Sequence, residues 1–246
     1  MTKVDASGPA YASRARWRDV ASTSLPARCA TPPRQQRGRE RQQALIDAGL
    51  RLTQTRDWDD VTIADIAAAI DCSVGTFYTR FHTKDAYFDT LLGLMVDAML
   101  RRAQAFHAAP ERREESASEL VAGWVDLAVN SFRLHRGLYA TALLNLRRLA
   151  PEARAASPLL RLRDRSRALF LSAMKRHSGW SGAAARADLL FAQQILRSAL
   201  LNAALTDGGP LHLDDAEFAR QLTRLLCGYL GIAPPAARAR KAAVRT

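Results

Sequence analysis

From Arg39 to about Ile232, apolar residues recur at three- and four-residue intervals, the spacing that gathers them on one face of an α-helix. A first helix is predicted over 39–56, with Leu45, Ala48 and Leu52 on one side. Two short ones follow at about 62–70 and 74–81. A long helix then runs from Lys84 to about His107, with a stripe of Phe88, Leu91, Leu92, Met95, Met99 and Phe106. Further helices are predicted near 117–135, 137–148, 158–178, 183–206 and 214–231, with breaks at Gly137, Pro151, 178–182 and 208–210. Alternating Val/Ile/Thr runs and Asn-Gly turns are scarce, and nothing recurs at a solenoid period. The pattern predicts an all-α chain.

Residues 61–81 carry the most information. Thr62 is placed to cap the first short helix, and Asp65, three residues on, completes an acidic variant of a capping box. Ile63, Ile66, Ala67 and Ile70 form its buried side, with Ala67 small enough for a close helix crossing. Asp71-Cys72 makes the turn and Ser73 caps the second helix, which buries Phe77 and Phe81 at four-residue spacing. Val74, Gly75, Thr76, Tyr78 and Thr79 then face outward at the start of a very short helix. Two helices joined by so tight a turn are a helix-turn-helix, whose second helix enters the DNA major groove by its N-terminal end. An ordinary core hairpin explains poorly a two-turn helix that exposes a Gly, two Thr and a Tyr beside two buried Phe. For base reading the candidates are Val74, Thr76 and Thr79, with Gly75 allowing close approach: Val and Thr methyls suit thymine methyls, and Thr hydroxyls serve several bases. Hydroxyls of Thr62, Ser73, Thr76 and Tyr78 and the helix N-terminal amides are candidates for phosphates.

The run Thr62-Ile63, Asp65-Ile66-Ala67, Ser73-Val74-Gly75-Thr76-Phe77-Tyr78, Phe81 and Thr83-Lys84-Asp85-Ala86-Tyr87-Phe88 resembles the N-terminal signature of TetR-family regulators. The resemblance in sequence spans about residues 40–92; beyond it the chain is similar only in helix number, length and order. It implies a three-helix DNA-binding domain over 38–84 and a helical effector-binding and dimerisation domain over 85–232. It implies a double-stranded operator, a homodimer, an unidentified small-molecule effector and repression relieved by that effector, with activation by the same fold the alternative. Lys84 resembles the family's backbone-contacting lysine. Two departures stand out: Asp57 and Asp71 replace glycines common at those helix ends, where a left-handed residue is expected, and Asp tolerates that conformation better than most residues.

Composition adjusts this picture in one respect. The chain has 246 residues and a formal net charge of +12, which suits a polyanionic partner. The excess lies at the ends. Residues 1–41 hold nine basic against three acidic residues, and Arg238, Arg240, Lys241 and Arg245 lie near the other terminus. Residues 43–83 hold Arg51, Arg56 and Arg80 against six aspartates. The module is therefore short of phosphate attraction, and a basic arm ending in Arg34, Arg37, Arg39 and Arg41 is expected to supply it. That arm, 1–37, carries Pro9, Pro26, Pro32 and Pro33 without a sustained apolar period and is expected to be disordered, as is a basic tail at 233–246.

In the second domain the last two helices suit dimerisation: Leu189, Leu190, Ile195, Leu196, Leu200, Leu201 and Leu205 pair with Phe218, Leu222, Leu225, Leu226, Tyr229 and Leu230, with monomer core the competing use. Trp124, Phe132, His135, Tyr139, Phe170 and Met174 are the candidate effector-binding residues, although aromatic residues at helical spacing also serve as plain core. The competing class is a helical enzyme or carrier. It finds no G-x-S-x-G, P-loop or H-E-x-x-H motif, and Asp59-Asp60 and Asp214-Asp215 read as helix-start charges. Cys29, Cys72 and Cys227 are dispersed, so no metal, cofactor or disulfide is expected and a cytoplasmic protein is. No apolar run reaches membrane-spanning length.

Overall fold

The helical periodicity is realised as α1 (Gln36–Leu52), α2 (Ile63–Ala68), α3 (Val74–Tyr78), α4 (Lys84–Ala108), α5 (Ala117–Leu134), α6 (Arg136–Arg148), α7 (Pro151–Ala155), α8 (Pro158–Met174), α9 (Ala183–Leu205) and α10 (Ala216–Tyr229). Single 3-10 turns stand at Trp58–Asp60 and Pro110–Arg112. These elements come from a computed structural model that describes residues 36–235; most of the basic arm and most of the basic tail lie outside them. Among the described residues there is no strand, and no helix is long and apolar enough to cross a membrane. The fold is all-α.

Contacts separate two units. The first comprises α1 up to Arg51 together with Thr62–Asp97, and the second comprises Leu52–Val61 with the chain from Ala98 onward. The first unit is assembled around rings. Phe77, Phe81 and Tyr87 have no exposed surface, and their ring centroids lie 4.7–5.6 Å apart in tilted and edge-on pairs, the arrangement that suits aromatic quadrupoles. Burying a tyrosine requires a partner for its hydroxyl. Tyr87 donates to the carbonyl of Leu45 at 2.5 Å, which ties α4 to α1. Gly49 makes that approach feasible, because a Cβ there would overlap the Tyr87 hydroxyl and lie 2.8 Å from Leu91.

The second unit is a bundle in which α10 packs along α5 and α9 touches α5, α6, α8 and α10. A full capping box formed by Ser116 and Glu119 starts α5. At its other end Arg133 donates to the carbonyls of Leu213 and Asp215, the latter at 2.8 Å, which fixes the turn before α10.

The expected elements need five corrections. Helix α1 ends at Leu52 rather than 56, because the amides of Thr55 and Arg56 both turn back to the Leu52 carbonyl while Thr53 gives its carbonyl to Gly137. Asp57 is consequently extended (φ −65°, ψ 146°) instead of left-handed, since it opens the Trp58–Asp60 turn rather than closing a helix. Asp71, by contrast, is left-handed at φ 51°. The break expected at Pro151 is itself a short helix, α7, with the proline at its start, where a missing N–H costs nothing. Helix α8 stops at Met174, four residues early. Finally, α4 carries more than a stripe: Tyr87, Leu91, Leu94, Met95, Val96 and Leu100 are buried on several sides, as in a helix enclosed by its surroundings.

Candidate nucleic-acid interface and effector cavity

The hairpin α2–α3 is held by local chemistry. Thr62 Oγ1 accepts from the Asp65 amide at 3.1 Å, and the Asp65 carboxylate accepts from the Thr62 amide at 2.9 Å. Ser73 Oγ accepts from the Thr76 amide at 3.2 Å, and Thr79 Oγ1 donates to the Gly75 carbonyl at 2.9 Å. With Ile66, Ala67 and Phe77 anchored below, α3 turns its other side outward. Val74 is 42% and Tyr78 47% exposed, side by side on this short helix. Ser73, Gly75 and Thr79 are exposed beside them, and Thr76 is half-buried. Thr62 is exposed at the start of α2, and Lys84 is half-buried at the start of α4. The predicted DNA-contacting set is thus spread over one hairpin and the next helix start.

A cavity of about 130 Å³ opens within the second unit. Of the six residues expected to bind an effector, Trp124, Phe132 and Tyr139 line it. The other three are placed differently. Phe170 is fully buried and stacks on Trp124 at 4.1 Å between centroids, so it backs the wall; Met174 is fully buried. His135 is 2% exposed at the junction of α5 and α6 rather than at the cavity surface. Sequence reasoning passed over the polar side of the cavity, which is formed by Arg163, Arg167, Gln193 and Arg197 with His107 nearby. On a helix an arginine ordinarily signals a solvated face, so no pattern marked these residues.

Burial sets the protonation of the unit's histidines. It pushes His135 down to about 3, with Arg102 acting in the same direction. It pushes His107 down to about 4, helped by Arg176 and Arg112. Both are neutral near pH 7. A histidine whose folded pKa lies below its ordinary 6.5 contributes stability that is complete above that value and lost as pH falls from 6.5 towards the folded pKa. The melting temperature is therefore expected to fall between pH 6.5 and 4, with His135 contributing up to about 1.4 kcal/mol per pH unit. A pH series of thermal melts checks this, and His135→Asn should shallow the slope.

Comparison with known proteins agrees with the geometry. Residues 45–91, which include α2, α3 and the ring cluster, match the model of the bacterial regulatory proteins of the tetR family. No curated protein matches the sequence. Among solved structures, the chain is similar to a tetR-family transcriptional regulator from Streptomyces coelicolor, with 18% identity, a TM-score of 0.59 and coverage of 77% of this chain and 78% of that one. It is also similar to a TetR transcription regulator from Haloarcula marismortui, with 16% identity, a TM-score of 0.57 and coverage of 78% and 97%. At such identities the likeness speaks to fold, while the matched model speaks to the hairpin that carries the signature. Residues 45–91 thus carry the N-terminal module of the tetR family, and the chain as a whole shares the fold of TetR-family transcriptional regulators.

Proposed function

We propose that the protein is a ligand-responsive repressor that works in the cytoplasm, binds a palindromic operator as a homodimer through α2 and α3, and is released by a small molecule held in the second unit. The observation that carries this reading is the outer side of α3. A helix of five residues has little stability of its own, yet this one is capped, pinned by Phe77 and left with Val74, Gly75, Tyr78 and Thr79 uncovered and Thr76 half-buried beside them. A surface so held and so bare suits the floor of a major groove, with Thr62, Ser73 and Lys84 as the proposed phosphate contacts.

The cavity supports the ligand-responsive part of the reading, because an aromatic wall joined to convergent polar groups is the make-up of a small-molecule site. The homodimer is supported by uncovered apolar side chains on α9 and α10: Phe191, Leu205, Leu225 and Tyr229.

A gel shift against the DNA flanking the protein's own gene tests the core of the proposal. The wild-type chain should shift a discrete palindromic segment. Val74→Ala combined with Thr76→Ala should weaken that complex about tenfold or more, since a good base contact is worth about 1–3 kcal/mol, while the melting temperature stays put. A double variant with full affinity and full sequence preference would remove α3 from the reading. A reporter fused to the same DNA should be silenced by the protein; stimulation would make it an activator.

A further inference from the structure

The polar side of the cavity contains donors with nothing to accept from them. Arg163 is already engaged, its guanidinium forked onto Asp164 at 2.7 and 3.1 Å. Arg167 Nε and Gln193 Nε2 are buried without a hydrogen-bond partner among the described residues. Arg197 is half-buried, and its cation is disfavoured first by that burial and then by the neighbouring Arg163 and Arg167. Among the described residues the carboxylate that acts on it is Asp164, which Arg163 holds in the forked pair. His107, on the same cavity, is kept neutral and adds no further positive charge. Burying a donor without an acceptor costs free energy, and burying two like charges costs more. An anion in the cavity would answer these donors and offset the crowding of positive charge.

The opposite wall is apolar and aromatic, with Trp124 backed by Phe170 and with Phe132 tilted over Tyr139 at 4.3 Å. The volume sets the scale. At about 130 Å³ the cavity is close in size to one that accepts a single benzene ring. We propose that the effector of this protein is a small amphipathic carboxylate, one aromatic ring in size, whose ring lies against Trp124 and Phe132 and whose carboxylate accepts from Arg167, Arg197 and Gln193. An acceptor-only head group suits the N–H groups of Arg167, Arg197 and Gln193, and a planar guanidinium holds a carboxylate by two parallel bonds. The proposal rests on the reading of the protein as ligand-responsive, and the test separates the two.

Full-length protein is titrated calorimetrically with benzoate and phenylacetate, and in parallel with benzamide and phenylacetamide, which keep the ring and shape but not the charge. The acids are expected to bind at least about tenfold more tightly than their amides, with the preference shrinking as salt is raised. Arg197→Gln and Arg167→Gln should each reduce the preference to about twofold or less. If one variant fails to fold, the other and the wild-type salt series decide the matter. Equal binding of acids and amides, or no binding of either acid together with no rise in melting temperature, overturns the proposal. Operator release is read separately by gel shift. Acids that bind yet leave the operator complex intact support the carboxylate site and sink the ligand-responsive reading. Amides that release the operator as well as the acids do keep that reading and sink the carboxylate site.

Discussion

Gly137→Ala is expected to lower stability by about 1–3 kcal/mol and to weaken operator binding in the same preparation, although alanine is the better helix former. Glycine inside a helix costs about 0.5–1 kcal/mol relative to alanine, so on propensity alone the substitution would help α6. The surroundings reverse the sign. The Gly137 amide donates to the Thr53 carbonyl at 3.2 Å, and an added Cβ would overlap the Arg56 carbonyl oxygen and lie 2.8 Å from that of Thr53. Both neighbours are backbone, so relief requires moving the segment 52–61 as a body. The Trp58–Asp60 turn of that segment packs on α6, with Trp58 and Val61 buried. The segment runs directly into Thr62, which caps α2, so its displacement enters the hairpin along the chain. Tyr139, two residues beyond Gly137 on the same helix, lines the cavity. Thermal melts and gel shifts of Gly137→Ala against Gly182→Ala are the measurement, because a Cβ at Gly182 meets nothing within 4 Å. Equal behaviour of the two variants would show that the close contact of Gly137 with segment 52–61 carries neither effect.

That contact also shows why some of the structure was legible in the sequence and some was not. The hairpin could be read because its determinants are local. Thr62 with Asp65, Ser73 with Thr76 and Phe77 with Phe81 lie three or four residues apart, and each forms the contact that its spacing implies. Asp57 could not be read the same way. Its backbone is set by where α1 stops, and that depends on a hydrogen bond to a residue 84 positions after Thr53. The Tyr87–Leu45 bond and the need for glycine at 49 are non-local in the same sense, and apolar periodicity carries no record of a hydroxyl's partner. In the cavity, the aromatic side was anticipated through Trp124, Phe132 and Tyr139. Phe170, Met174 and His135 share the same helical spacing yet fall behind the wall or beside it, because periodicity fixes a face and not a depth. Arg163, Arg167 and Arg197 went unmarked because an arginine on a half-exposed helix face is compatible with water as well as with a ligand.

The apolar residues of the last two helices divide in a way that yields the second large effect. Leu189, Leu196, Leu200, Leu222 and Leu226 are spent on the core of the single chain, so the apolar pattern of α9 and α10 overstates the surface free for a partner. What remains is smaller and better defined: Leu225 at 53% exposure, with Phe191, Leu205 and Tyr229 also uncovered and the Phe191 and Tyr229 rings 5.4 Å apart. Gly228 lies between Leu225 and Tyr229 with open space where its Cβ would be, which lets another backbone approach closely. A two-fold dimer brings the same surface of each copy together, so a charge placed on it is buried against a like charge from the partner. Leu225→Glu is therefore expected to leave a folded monomer, and Tyr229→Glu to do the same. Operator affinity should fall by about a hundredfold or more, because two linked half-site contacts become two independent ones. Light scattering on a sizing column reads the mass, and a gel shift on the full palindrome against a single half-site reads the affinity. The variant should treat the two DNAs nearly alike where the wild type strongly prefers the palindrome. Leu226→Ala is the matched control. That side chain is fully buried within its own chain, so its truncation should cost about 2–5 kcal/mol of stability while leaving the dimer contact in place. A Leu225→Glu protein that remains dimeric, with palindrome preference intact, would move the interface off α9 and α10.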